Sequence, residues 1–283
     1  MIARVAVLGA GTMGHGIAHA AAAAGYETRL FDVDPAAVER GRGAVAAIVA
    51  NAVELGKVTA ADAEAMLGRL QTGAVLDDAL RDADFVIEAA PERIDLKLRL
   101  FEAIERLAPA HAIVTSNTSA LSITEMAATL SRASRVAGMH FFNPVHKMKL
   151  VEIVRALETS PETIAAVLEV AHRMRKETVL VRESPGFITT RVNASIGNEA
   201  FYMLMEGVAT AEDIDKALKL GLNHPMGPFE LVDLVGLDTR LSILEYLHRT
   251  LGEKYRPCPL LVQYVKAGRL GRKVGKGVYE YPR

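Results

Sequence analysis

Glu152 lies inside Leu150-Val151-Glu152-Ile153-Val154, an apolar run of the kind that forms a covered strand, where an ionised carboxylate is costly without a partner. His140 ends another apolar run, Arg135 to Met139, and Phe141-Phe142-Asn143-Pro144-Val145-His146 between the two has the character of a connection. The two segments are thus able to bring His140 and Glu152 together. A carboxylate holds an imidazole in one tautomer and stabilises its protonated form, which is what a general base for an alcohol proton needs. The alternative is a structural histidine bonded to a structural glutamate. His146 is a rival base, although Lys147 beside it suggests an exposed loop.

A second constellation is Gly9-Ala10-Gly11-Thr12-Met13-Gly14. The first glycine permits a tight turn, the second lets backbone approach a pyrophosphate, and the third allows a helix to pack closely on a strand. Amide groups and the helix dipole then face the phosphates. Such a motif is weak alone. Here it follows a strand, opens a helix, and is followed about 20 residues later by Asp32 at the end of a second strand, as a dinucleotide fingerprint requires. The Asp32 carboxylate accepts from a ribose 2′-hydroxyl and repels a 2′-phosphate, so NAD is expected rather than NADP. The alternative for Asp32 is a turn aspartate ahead of Asp34-Pro35.

Ser116-Asn117-Thr118-Ser119 follows Ala112 to Thr115 at the carboxyl end of a strand, the edge where open α/β sheets bind ligands. Its hydroxyl and amide groups suit a reacting oxygen or a carboxamide, or else they cap the helix that starts near Ile123. Glu92 and Lys97 likewise follow the strand Asp84 to Ala90, where they read alone as ordinary charges on an exposed helix start.

The elements that must position these residues alternate. Ile2 to Leu8 is a strand and Met13 to Ala24 a helix closed by Gly25; Glu27 to Phe31 completes a βαβ unit. Helices are expected at Pro35 to Leu55, Thr59 to Leu67 and Ile94 to Leu107, with further strands at 85–87, 112–114, 136–139, 150–154 and 179–181. The expected class is α/β with a mostly parallel sheet wrapped by helices. After Glu183-Ser184-Pro185-Gly186 the strand pattern stops. Helices follow over 187–205, 211–220, 229–251 and 260–267, so domains 1–183 and 184–283 are expected.

The length of 283 residues favours two domains, and 33 basic against 34 acidic side chains with 5% aromatics offers no patch for nucleic acid. Cys258, the single cysteine, forms no intramolecular disulfide and no Cys-based metal site, which fits a reducing compartment. No stretch reaches the roughly 18 apolar residues that span a bilayer, and a cytoplasmic protein without metal is expected.

Taken together, GAGTMG at Gly9, SNTSALSI at Ser116, HFFNPVHKMKLVEIV at His140, ESPGFI at Glu183, HPMGPFELVDLVGLD at His224 and GRLGRKVGKGVYEY at Gly268 resemble the 3-hydroxyacyl-CoA dehydrogenases over nearly the whole chain, specifically their bacterial 3-hydroxybutyryl-CoA branch. The resemblance implies a Rossmann-like N-terminal domain, an all-α C-terminal domain used for homodimerisation, and oxidation of an L-3-hydroxyacyl-CoA to the 3-ketoacyl-CoA with NAD, as in fatty acid β-oxidation and butanoate metabolism. By position it makes His140 the general base, Glu152 its orienting carboxylate and Ser119 the hydroxyl that binds the substrate's 3-oxygen. It places Gly9, Ala10, Gly11, Thr12, Met13, Gly14, Asp32, Glu92, Lys97, Ser119 and Asn143 against the cofactor. One departure stands out. The family usually carries an asparagine in GFxxNR, whereas this chain has Thr190 there, with Asn193 three residues on. Either side chain is then a candidate for the substrate contact. The coenzyme A tail is expected over basic side chains of the helical segment around Lys57. A relative acting on a free hydroxy or sugar acid, or a non-catalytic NAD-binding structural relative, are the alternatives.

Overall fold

The computed structural model describes residues 2–282, and Met1 and Arg283, the outer ends of the two expected domains, lie outside the described residues. The chain divides into two compact units, 1–183 and 184–283.

The central strands of the first unit are β-branched, aliphatic runs that bury both faces, as parallel strands covered by helices do, while β3 and β8 at the sheet's edges are largely exposed. Eight strands form one sheet: β1 (Arg4–Leu8), β2 (Glu27–Phe31), β3 (Leu70–Gly73), β4 (Phe85–Glu88), β5 (Ile113–Ser116), β6 (Val136–Phe141), β7 (Leu150–Arg155) and β8 (Glu177–Arg182). Their spatial order is β3-β2-β1-β4-β5-β6-β7-β8. All neighbouring pairs are parallel except β6 and β7. The helices are α1 (Gly14–Ala23), α2 (Pro35–Glu54), α3 (Ala60–Gly68), α4 (Leu76–Leu80), α5 (Ile94–Leu107), α6 (Ile123–Ala127) and α7 (Pro161–Arg173). Local chemistry sets their starts. The Asp34 side chain accepts from the Ala36 amide ahead of Pro35, and Ser160 accepts from Thr163 ahead of Pro161. The main core joins α1, α7 and the sheet through Ile17, Tyr26, Ile87, Met139, Ile153 and Val167.

Two parallel crossovers run outwards from β1 through β2 to β3, and the next strand, β4, returns to the other side of β1. The carboxyl ends of β1, β2, β4, β5 and β6 share one sheet edge, because the register aligns Leu8 with Phe31 and with Glu88, Glu88 with Ser116, and Ser116 with Gly138. Ligands of open α/β sheets bind at such a reversal.

The second unit is helical: α8 (Thr189–Met205), α9 (Ala211–Gly221), α10 (Pro228–Val235), α11 (Leu237–Leu251) and α12 (Pro259–Lys266). Its own core gathers Phe201, Phe229, Leu244, Leu247 and Leu261. Two buried carboxylates tie its ends. Asp215 accepts from the Phe229 and Glu230 amides at 2.8 and 3.1 Å and from the Tyr279 hydroxyl at 2.8 Å. Asp233 accepts from the Val278 and Tyr279 amides and the Tyr281 hydroxyl, all within 2.9 Å.

The structure corrects the expected elements in two places. The span 229–251 is two helices, because Gly236 turns the chain at φ +105°, a conformation that costs other residues dearly. Short β3 and α4 and the amphipathic α7 went unassigned in the sequence. β3, Leu-Gln-Thr-Gly, has half its side chains exposed and no apolar run to announce it.

Candidate active site

β6 and β7 face each other antiparallel with His140 directly opposite Glu152. Even-numbered side chains of β6 fall on one face of the pleat, so the register alone carries the imidazole to the carboxylate. Nδ1 of His140 lies 2.7 Å from Glu152 Oε2, with the histidine 5% and the glutamate 0% exposed. An ionised carboxylate only accepts, so Nδ1 carries the proton and Nε2 keeps its lone pair. The Phe142 ring packs 4.6 Å from the imidazole. His146, the rival base, is exposed beyond this pair, in the connection that Lys147 announced.

The turn after β5 is organised from beneath. Asn117 Oδ1 accepts from the Phe141 amide at 2.8 Å, fixing the Ser119 turn to the end of the strand that bears His140. Glu92 Oε1 accepts from Thr118 Oγ1 at 2.5 Å, from the Ser119 amide at 2.7 Å and from the Ala120 amide at 3.3 Å. Ser119 itself stays half-buried. The cap of α6 is Ser122, which accepts from the Glu125 amide, so the 116–119 cluster is not that helix's cap.

Lys97 is not the surface charge that its position after a strand suggested. It is 1% exposed, and its ammonium donates to both oxygens of Glu88 at 2.7 and 2.9 Å and to the Ala90 carbonyl at 3.1 Å. It also lies 3.6 Å from Glu92 Oε2. The Ser116 hydroxyl donates to Glu88, which is fully buried, and accepts from the Thr118 amide. Sequence reasoning passed over Glu88, although it carried the signal that drew attention to Glu152: an acid inside an apolar run, here Phe85-Val86-Ile87-Glu88-Ala89.

At the first turn, a Cβ on Gly14 would come within 1.6 Å of the Gly9 carbonyl oxygen, and one on Gly9 would meet Ala89 O at 2.6 Å. Gly11, by contrast, is exposed with nothing within 4 Å of its Cβ position, so an incoming group has room against the backbone. α1 starts with no acid in its first turn and no side-chain cap at Met13, leaving its positive end uncompensated for an anion. Exposed Thr12 and buried Ala10 complete the turn, and the Ala10 amide donates to Asp32 Oδ2 at 2.8 Å. The other Asp32 oxygen accepts from the Asp34 amide at 3.1 Å. A carboxylate has about four acceptor sites, so this half-buried one retains capacity for a ribose hydroxyl. The donor set fits a dinucleotide. Asn143 is exposed in the connection after β6.

Thr190 and Asn193 both lie in the first turns of α8, three residues apart on one helical face and half-buried. Asn198 is structural: its amide donates to the Arg256 carbonyl and accepts from the Cys258 amide. Among the described residues no group of three or more His, Cys, Asp or Glu side chains is placed to hold a metal, and no helix is long and apolar enough to cross a membrane.

The chain is similar to known proteins over nearly its whole length. The family profile described as 3-hydroxyacyl-CoA dehydrogenase, NAD binding domain, matches residues 4–184, and that of the C-terminal domain matches residues 186–281. A probable 3-hydroxybutyryl-CoA dehydrogenase of Bacillus subtilis is 49% identical over 281 residues, 99% of this chain and 98% of that protein. A 3-hydroxybutyryl-CoA dehydrogenase of Bradyrhizobium diazoefficiens is 44% identical over 282 residues, 99% and 96% of the two chains. The crystal structure of (S)-3-hydroxybutyryl-CoA dehydrogenase from Ralstonia eutropha superposes over 100% of both chains with a TM-score of 0.95 at 44% identity. With both profiles matched in order over almost its whole length, the chain belongs to the 3-hydroxyacyl-CoA dehydrogenase family of NAD-dependent oxidoreductases.

Proposed function

We propose that this protein interconverts L-3-hydroxyacyl-CoA and 3-ketoacyl-CoA, with 3-hydroxybutyryl-CoA as the favoured substrate, and that His140 is its general base. The observation that carries this reading is the buried 2.7 Å contact between His140 and Glu152, where β6 lies beside β5, whose end opens the Ser119 turn. The bound dinucleotide supplies the acceptor for the hydride that leaves C3. Nε2 of His140 takes the hydroxyl proton as the carbonyl forms, and Glu152 stabilises the resulting imidazolium. The Ser119 hydroxyl donates to the 3-oxygen. Gly9 to Gly14 and Asp32 hold the pyrophosphate and ribose, and Glu92, Lys97 and Asn143 line the path of the nicotinamide half.

The acyl-CoA assignment gains support from a cavity of about 860 Å³ within the first unit, beside Lys57. Lys57, Lys147, Lys149, Arg173, Arg175 and Lys176 line it against the single carboxylate of Asp62. Such an excess of cations suits the phosphates of a coenzyme A tail. In the second unit, Thr190 or Asn193 takes the place of the family's substrate asparagine. Exposed Val208, Leu220 and Leu222, at 63%, 77% and 67%, support a homodimer through this unit, which sedimentation at increasing concentration tests.

Turnover of acetoacetyl-CoA with NADH, compared with free acetoacetate and sugar acids, tests the substrate class. His140→Gln is expected to lower kcat by roughly 10²- to 10⁴-fold while the NADH dissociation constant changes by less than about threefold. A variant with wild-type turnover, or equal turnover of the free acids by the wild type, overturns the assignment.

A further inference from the structure

The cation-lined cavity has a second feature that charge alone does not explain. His19 of α1 and His146 of the connection after β6 both line it, their rings 6.3 Å apart and edge to face at 79°. Nδ1 of His19 is buried with no hydrogen-bond partner among the described residues, a costly arrangement for a group able to donate or accept. Around the pair stand His15 on the same helix, Lys147 beside His146, and Lys176 ahead of β8; Asn51 of α2 is uncharged, and Asp62 of α3 is the lone acid in the lining.

Two of the cations are already engaged. Lys176 donates to the Val145 and Met148 carbonyls at 2.5 and 2.8 Å, which fixes its charge near the histidines. Arg173 donates to the Ala24 carbonyl at 2.9 Å and lies 4.2 Å over the Tyr26 ring. Lys57, Lys147, Lys149 and Arg175 form no ion pair among the described residues and remain for a ligand.

We infer that His19 and His146 form a proton-linked element of this phosphate seat: each gains a proton as a phosphate enters, so the grip on a phosphorylated tail tightens as pH falls. The inference rests on the reading of the cavity as the seat of the coenzyme A tail. Without a ligand, burial and then the neighbouring His146, Lys176 and His15 push His19 down to about 4. Burial and then Lys147, His15 and Lys176 lower His146 in the same sense. Both are therefore neutral at pH 7. A phosphate group brought among these cations cancels the field that holds the protons off, and the unpartnered Nδ1 of His19 acquires an acceptor or a water-bridged one.

The sign of the effect separates this device from an ordinary cationic seat. A phosphomonoester has its second pKa near about 6, so lysines and arginines alone favour its dianion and bind it less well in acid. Histidines that gain protons produce the opposite trend.

Adenosine 3′,5′-bisphosphate, which carries the phosphate chemistry of the tail without a thioester, is the probe. Its dissociation constant is to be measured by calorimetry between about pH 7.5 and about pH 5.5 on wild type, on His146→Gln, and on His19→Gln with His146→Gln. The wild-type constant should fall by roughly threefold or more across that range, and that of the double variant should rise by a similar factor. His146 is exposed, so the single variant folds independently of any core change and should give an intermediate trend. The same pH trend in all three proteins overturns the proton linkage and leaves the seat standing. If the probe binds none of them, and Lys147→Glu with Lys149→Glu leaves the KM for acetoacetyl-CoA unchanged, the seat itself is overturned together with the linkage.

Discussion

At the scale of single residues, the division of labour follows from what each carboxylate touches. Glu152 touches an imidazole, Glu92 touches two amides and a hydroxyl of the Ser119 turn, and Asp32 touches the amide of Ala10 inside the glycine turn. The three acids are chemically alike and separated in role only by their partners. Asp32 is the one whose replacement isolates cofactor choice. On the proposed cofactor reading, Asp32→Ser removes the negative charge that would repel a 2′-phosphate and a strong acceptor for a ribose hydroxyl, an interaction of roughly 1.5–3 kcal/mol. The KM for NADH should rise by about 10-fold or more while that for NADPH falls, so the ratio of the two kcat/KM values is the measurement. An unchanged ratio means that Asp32 serves only the turn. Asp32 was legible in the sequence because strand, turn and acid occupy one short stretch. Lys97 was not: a lysine at the start of a helix looks the same in sequence whether it meets water or a buried acid nine residues back.

At the scale of elements, the sheet edge depends on a buried polar set that belongs to no single motif. Glu88 ends β4, Ser116 ends β5, and Lys97 sits in the first turn of α5, so their contacts tie two strand ends to a helix under the Ser119 turn. Breaking a buried ion pair by removing one partner leaves the other charge uncompensated. Lys97→Met should therefore cost roughly 3–5 kcal/mol, and adding Glu88→Gln should recover a substantial part of it. Urea midpoints of the wild type, the two single variants and the double variant form the cycle that checks this. If the single and double losses add, the pair is not coupled. Sequence periodicity could place β4, β5 and α5 and could not foresee this set, because hydrogen bonds between elements depend on which strand ends lie side by side. The same limit explains the merged helix over 229–251. Gly236 inside an apolar pattern reads as a tolerated glycine until its positive φ breaks the helix.

At the scale of the whole molecule, buried titratable groups set how stability responds to acid. His19 titrates at about 4 in the folded chain against an ordinary 6.5, chiefly because of burial. The unfolded chain then binds the proton first, so stability is complete above about pH 6.5 and falls as pH drops towards 4, by up to about 3 kcal/mol for this group. Asp84 acts in the same direction at lower pH. Held down to about 2 by the amides of Ala3 and Arg4 and by His111 against the cost of its burial, it contributes stability that persists until pH falls below the usual aspartate range. Between about pH 6.5 and 4, His19 thus weakens the fold, and His146, lowered in the same sense, adds to the loss. The loss of urea stability from about pH 7.5 to about pH 5 should shrink in His19→Gln, and an identical loss in both proteins would remove His19 from the account.

The sequence by itself determined the local matters: strands from β-branched apolar runs, the steric demand for glycine at Gly9 and Gly14, an acid at Asp32 beside the glycine turn, and a costly acid at Glu152 in search of a partner. These follow from forces that act over a few neighbouring residues. Tertiary structure alone decided which distant groups meet. It set the antiparallel register that puts Glu152 opposite His140, the Glu88, Lys97 and Ser116 set, and the gathering of Lys57, Lys147 and Lys176 around His19. Charge and burial act through space, and the distances that govern them come from the order of eight strands, which no short stretch of chain contains.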